Sequence, residues 1–231
     1  MTDKVTFYSH YPTSLGEYKL RCPEMMAYLY LPIKMREARG FRIPENLRWT
    51  WPLIQAVNDE ERLRDKYVYI TAKHLYVQPG YTGNRPGYHG DGWGTDDVNY
   101  VWCDKFPTLF TVGQFVDVPT DDHASLSELG QQAMWLRQIS GKPNHLYQLF
   151  PWNIHDVPHL WPDHEGWRTF VKISVSKHRY NLAGNSHNWL FDYDWKMWAR
   201  DEVRNDPHYA GKDHYLDNPA GPVFPHEPKD N

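Results

Sequence analysis

From residue 166 the chain runs GWRTFVKISVS, and its β-branched side chains fall on every second position. Thr169, Val171, Ile173 and Val175 share one face of the predicted strand, while Arg168, Phe170, Lys172 and Ser174 share the other. Similar runs recur upstream. DKYVYITAKHLYVQPG predicts a strand or strand pair closed by Pro-Gly, and DVNYVWCD predicts a compact strand. PTLFTVG and QFVDVP continue the β pattern as two pieces, and NHLYQLFPWNIHD adds another. Helical spacing is clearest at residues 125–140, SLSELGQQAMWLRQIS, where Leu126, Leu129, Ala133, Leu136 and Ile139 line up, with Asp122 or Ser125 as the cap and Gly141 after the end. PEMMAYLYLPIKMREA suggests an early helix broken near Pro32, NDEERLRDK a short charged helix, and FDYDWKMWARDEV a late amphipathic one. From NDPHYAG onward the chain is rich in Pro, Gly and His and reads as an extended tail.

These elements predict one mainly β domain over residues 1–231, with flanking helices: helical support in 1–64, a β core in 65–176, and a C-terminal helix and tail in 177–231. Short strands with Gly/Pro turns and one inserted helix suit a sandwich or barrel. The length of 231 residues is ample for one sizeable core, and the 11 Trp and 16 Tyr favour dense packing over disorder. The formal charge of −4 gives no general pull toward nucleic acid, although residues 34–48 gather Lys34, Arg36, Arg39, Arg42 and Arg48. Neither a membrane-length apolar run nor a signal-type start is evident, and Cys22 and Cys103 lie in no metal-type spacing. A protein of the cytoplasm with two free thiols is the expectation.

The chemistry concentrates in RPGYHGDGWGTDDVNYVW, residues 85–102. His89 and Asp91 are separated by one residue, which on extended backbone places both side chains on one face. The same triplet in a Gly-rich turn also suits backbone capping. His155, at the end of a core-like strand, is the best third partner, and two histidines with one carboxylate form the facial set that leaves open positions on non-haem iron. A 2-oxo acid chelating such a metal needs a bidentate cation for its far carboxylate, and Arg168 opens the following strand. HDVPH is a poor zincin, since Pro158 interrupts it and the glutamate is missing. Asp91, Asp96 and Asp97 do not follow EF-hand order, so Asp96 and Asp97 are expected to cap turns. Phosphate loops, a nucleophile elbow and CxxC are all lacking, which sets aside nucleotide hydrolysis, serine hydrolysis and dithiol redox.

The ordered set His89-x-Asp91, His155, Arg168 resembles the Fe(II)/2-oxoglutarate-dependent oxygenases over roughly residues 65–176. The resemblance implies a double-stranded β-helix (a cupin-like jelly roll) with Fe(II) on His89, Asp91 and His155. It implies that Arg168 pairs with the C5 carboxylate of 2-oxoglutarate, with Lys172 in reserve. It also implies consumption of O2, release of succinate and CO2, usually hydroxylation of a substrate, and ascorbate as reductant in vitro. Phe170 stands where some members carry a second oxoglutarate-binding serine. Asn99, Tyr100 and Trp102 are candidates to orient the co-substrate or line the pocket, and Arg85, Tyr88, Trp93 and Trp102 to meet the substrate. Tyr81, Trp152 and Trp161 add to a possible stacking wall, and the Gly-rich loop is placed to act as a lid. A small molecule is the leading substrate, a nucleobase the second, and a non-catalytic metal- or sugar-binding module the third reading.

Overall fold

The computed structural model describes residues 3–198. Among these residues, ten strands form two antiparallel sheets. The larger sheet has the order β2-β8-β5-β10-β4-β3, built from β2 (Thr13–Glu17), β3 (Met26–Lys34), β4 (Tyr67–Val77), β5 (Val98–Cys103), β8 (His145–Leu149) and β10 (Gly166–Ser176). The smaller joins β1 (Lys4–Ser9), β6 (Leu109–Pro119) and β7 (Arg137–Ser140), with β9 (His155–Asp156) paired to β6. The mainly β expectation holds, in an arrangement compatible with a β-sandwich.

The period-2 reading of β10 is carried through in three dimensions. β10 pairs with β4 without a break from Gly166↔Val77 to Ser176↔Tyr67, and with β5 on its other side. Val171, Ile173 and Val175 join Val68, Ile70 and Ala72 of β4 and Val98, Tyr100 and Trp102 of β5 in one apolar cluster. That cluster is capped by Leu47 from a 3-10 turn (Glu45–Thr50), Leu53 and Ile54 from α1 (Trp51–Ala56), and Leu63 from α2 (Glu60–Leu63). The opposite faces of the same strands look toward the smaller sheet. There Val101, Cys103, Phe110, Tyr147, Leu149 and Phe170 form a second cluster. A third cluster packs α3 (Asp122–Ala133), through Leu129 and Ala133, on Phe7, Phe115 and Val118 of the smaller sheet.

Several elements differ from their sequence reading. The early helix is instead strand β3, and residues 1–64, expected as helical support, supply three strands before the short helices begin. Pro32 fits because β3 is the edge of its sheet, where a missing N–H breaks no inner ladder. The helix predicted over 125–140 starts earlier, capped by the Asp121 carboxylate on the Ala124 N–H at 2.7 Å, and ends at Ala133. Residues 137–140 leave it to pair with β6 as β7. Long-range pairing decides there, because four residues are too few for periodicity to separate helix from strand. PTLFTVG and QFVDVP fuse into the single β6, and the NHLYQLFPWNIHD segment divides into β8, a turn and β9. No helix occurs in the described part (191–198) of the predicted late helix; the rest of it and the tail lie outside the described residues. Both cysteines are buried free thiols, and among the described residues no helix is long and apolar enough to cross a membrane.

Candidate metal centre

His89 lies in the long connection between β4 and β5, and His155 in β9. Their backbones exchange two hydrogen bonds of 3.0 Å, which fixes one imidazole beside the other with ring centres 4.6 Å apart. Each ring is also anchored from behind. His89 Nδ1 meets the Gly87 carbonyl at 2.6 Å and His155 Nδ1 the Asn153 carbonyl at 2.9 Å. A carbonyl only accepts, so each Nδ1 carries the proton and each Nε2 keeps its lone pair. Both Nε2 atoms face Asp91, at 4.0 Å from Oδ1 for His89 and 3.5 Å from Oδ2 for His155. The donor atoms of the three residues lie within 4.8 Å of one another, a group able to hold a metal ion.

Gly90 explains how two ligands fit one residue apart. A Cβ on Gly90 would overlap the carbonyl oxygen of Pro151, so the His89–Asp91 segment presses against the turn before β9 closely enough to admit only glycine. Gly92 follows with φ +77°, turning the chain away after the carboxylate. Asn99 holds this turn in place: its Nδ2 donates to the Asp91 carbonyl at 3.3 Å while its Oδ1 accepts from the Ser174 hydroxyl at 2.6 Å.

Charge is balanced within the site. Lys172 of β10 places its ammonium 2.7 Å from Asp91 Oδ1 and donates to the Tyr30 hydroxyl at 3.1 Å. Burial alone would raise the Asp91 carboxyl, but the Lys172 ammonium beside it outweighs this and holds the group well below the usual carboxylate range. Burial would likewise lower Lys172, yet Asp91 and Tyr30 raise it above an ordinary lysine. Burial, reinforced by His155, pulls His89 down to about 4.

These residues face a cavity of about 620 Å³ between the two sheets. Arg168 reaches the same cavity from β10 and is only 3% exposed. Its Nε donates to the Phe106 carbonyl at 2.9 Å and its guanidinium lies over the Phe170 ring at 5.0 Å, while Nη2 is buried with no hydrogen-bond partner. Lys172 and Arg168 are four residues apart on one strand face, ~13 Å along the strand. The cavity therefore has one end whose His and Asp residues could hold a metal ion and another formed by the Arg168 guanidinium.

The structure sorts the remaining candidates. Asn99, Arg85, Tyr88 and Trp93 all line the cavity, with Trp93 also packed against Phe7 at 5.4 Å between ring centres. Tyr100 and Trp102 do not; strand alternation turns both into the apolar cluster behind the sheet. There the Tyr100 hydroxyl accepts from Arg62 at 2.8 Å and the Trp102 indole N–H donates to the Tyr18 carbonyl at 2.9 Å. Tyr81, Trp152 and Trp161 are also absent from the wall, and Tyr30, Phe170 and Tyr180 take the aromatic role. Tyr30 was hidden because its segment reads as a helix. It occupies a bulge of β3 with φ 46°, which swings its ring inward. Asp96 and Asp97, expected as turn caps, instead make a 2.6 Å ion pair with Lys177 and a 2.6 Å hydrogen bond from Tyr180.

Within the basic stretch at 34–48 one lysine is consumed internally, while two arginines have partners at the surface. Lys34 is buried and donates to the carbonyls of Met35, Arg36 and Lys66, Arg42 donates to the Leu190 carbonyl, and Arg48 pairs with Glu45. No residue of that stretch lines the cavity. No protein-family model matches the chain, and no curated protein matches it.

Proposed function

We propose that the protein is an Fe(II)- and 2-oxoglutarate-dependent oxygenase of a small molecule, built on a cupin-like jelly roll. The observation that carries this reading is the pairing, in one interior cavity, of a His-Asp-His facial set with a buried guanidinium that has an unpartnered N–H. The donor set fits iron: two imidazoles with free Nε2 lone pairs and one carboxylate occupy a single side and leave the cavity side open. When bound, iron and 2-oxoglutarate supply the oxidising chemistry that activates O2 and releases succinate and CO2.

The chain's own residues divide the remaining work. His89, Asp91 and His155 would hold the metal. Lys172, committed to Asp91 and Tyr30, orients the carboxylate and offsets its charge, in the way outer partners tune metal ligands. Arg168, whose Nη2 is the unpaired donor, takes the distal carboxylate through that nitrogen as a charge-assisted hydrogen bond. Phe170 beneath the guanidinium keeps that end dry and strengthens the pair. Tyr30, Tyr88, Trp93 and Tyr180 offer flat apolar walls to a substrate, with Arg85 at the exposed side. The cavity is lined by no residue of the basic stretch at 34–48, which favours a small substrate over a nucleobase within a polyanion.

The test is anaerobic addition of 2-oxoglutarate to the Fe(II)-loaded protein, followed by O2 and assay of succinate. A visible Fe(II)–oxoglutarate charge-transfer band and slow substrate-free succinate release are expected. Folded, iron-loaded protein that gives neither would overturn the reading.

A further inference from the structure

We propose that Asp96, Asp97 and His178 form a second site, for a divalent cation of the zinc type, that ties the end of β10 to the loop entering β5. This site shares no residue with the first and does not depend on the oxygenase reading. The donor atoms of the three residues lie within 4.8 Å of one another. Two of these side chains are almost wholly enclosed, Asp97 at 1% exposure and His178 at 3%.

The decisive feature is what these groups lack. Asp97 Oδ1 and His178 Nδ1 are both buried and neither has a hydrogen-bond partner, so they do not bond each other either. Buried polar atoms are nearly always satisfied, and two orphans at one place call for a shared partner. An acceptor oxygen beside an imidazole nitrogen, with a second carboxylate adjacent, is a donor set for a cation. Everything around the pair is already fixed. Asp97 Oδ2 accepts from the Tyr180 hydroxyl at 2.6 Å, and the Asp97 N–H donates to Thr95 Oγ1 at 3.2 Å. The His178 N–H donates to Ser176 Oγ at 3.0 Å, and its carbonyl accepts from the Tyr69 hydroxyl at 2.9 Å. The backbone is therefore held independently of any ion, and beside the two partnerless atoms only the Ser176 hydroxyl adds a further side-chain donor toward the Asp97 carboxyl.

Asp96 supplies the adjustable donor. Its carboxylate pairs with Lys177 at 2.6 Å, but the two side chains are 33% and 55% exposed, so the ammonium can turn to water when an ion arrives. One imidazole and two carboxylates form a mixed N/O set that accepts Zn²⁺ or Mn²⁺, with water completing the shell. Asp97 also lies on the wall of the large cavity. An ion here would brace the stretch that begins at the metal ligand Asp91.

The experiment uses the full chain carrying His89→Ala and His155→Ala, which silences the first site and leaves the Asp91–Lys172 pair intact. Metal-free protein is titrated with Zn²⁺ by calorimetry, and the retained ion is counted by elemental analysis after gel filtration. About one equivalent is expected, with X-ray absorption showing one imidazole among oxygen donors. Adding Asp97→Asn and His178→Gln should abolish retention, a loss beyond the roughly 10–100-fold that removal of an outer partner causes. Should that variant fail to fold, Asp96→Asn on the same background alters a part-exposed group and should weaken Zn²⁺ binding by roughly tenfold. No retained zinc in the background protein, or retention unaffected by these substitutions, overturns the second site. Comparison with unsubstituted protein reports separately on the first site, whose failure would appear as equal ion counts.

Discussion

Replacing Gly90 with alanine tests the close approach on which the proposed His89–Asp91–His155 metal site depends. The new methyl would overlap the Pro151 carbonyl oxygen, and Ile154 Cδ1 at 3.4 Å closes the escape route on the apolar side. The obstacle is backbone rather than a flexible side chain, so the 89–91 segment must lift away from the turn before β9. That movement breaks the two 3.0 Å hydrogen bonds between His89 and His155, each worth about 1 kcal/mol. Overpacking adds about 1–3 kcal/mol. The sum, roughly 3–5 kcal/mol, lowers Tm by on the order of 10 °C for a domain of this size. The lifted segment also carries His89 Nε2 away from Asp91, so Fe(II) affinity should fall more than tenfold even below the new melting point. Gly130→Ala is the control, because nothing lies within 4 Å of its Cβ position and it sits in α3, where alanine gains up to about 1 kcal/mol over glycine. Differential scanning calorimetry and an anaerobic Fe(II) titration read both effects. A Gly90→Ala protein that melts with the wild type and binds iron equally well would refute the packing argument.

Arg168→Met should raise the 2-oxoglutarate concentration needed for half-maximal succinate release by at least tenfold while leaving Fe(II) binding unchanged; an unaltered requirement would remove Arg168 from the co-substrate role. Lys172→Met strands the Asp91 carboxylate, so the metal-free protein should lose about 3–5 kcal/mol. Added Fe(II) should then recover more of its Tm than it adds to the wild type, and a melt that shows no such difference would contradict the charge balance. Trp102→Ala should cost about 3–5 kcal/mol as a core truncation without changing the KM of a substrate once one is found. A changed KM at unchanged stability would restore Trp102 to the pocket.

How far the site was legible can be followed residue by residue. His89 and Asp91 were readable from their one-residue spacing although they lie in the connection between β4 and β5, His155 from the strand-like run before it, and Arg168 from the alternation of β10, which put Arg168 and Lys172 on one face. Tyr100 and Trp102 were assigned to the pocket by proximity in sequence; the same alternation, applied to β5, sends them behind the sheet with Val98 and leaves Asn99 and Val101 in the cavity. The contact of the Lys172 ammonium with Asp91 was not readable, since it depends on which strand lies opposite the 78–97 connection. Tyr30 was missed for a physical reason: a bulged edge strand containing proline lacks the clean alternation that marks a strand, so its segment reads as a helix. The partnerless atoms of Asp97 and His178 are a tertiary property, because their loops meet only when β10 and β5 pair.

The alternation of β10 also has a consequence for how this protein can change over generations. Val171, Ile173 and Val175 answer to the helices behind the sheet, whereas Arg168, Phe170 and Lys172 answer to the cavity. Because neighbouring residues on a strand serve different sides, a substitution at one set leaves the other set's demands nearly untouched. Specificity can therefore drift through the cavity-facing positions while the scaffold stays conserved in shape, and the scaffold can be reinforced from behind without retuning the chemistry. The strand works as a partition between two selective pressures, which makes its inward side the natural place to begin redesigning what the cavity accepts.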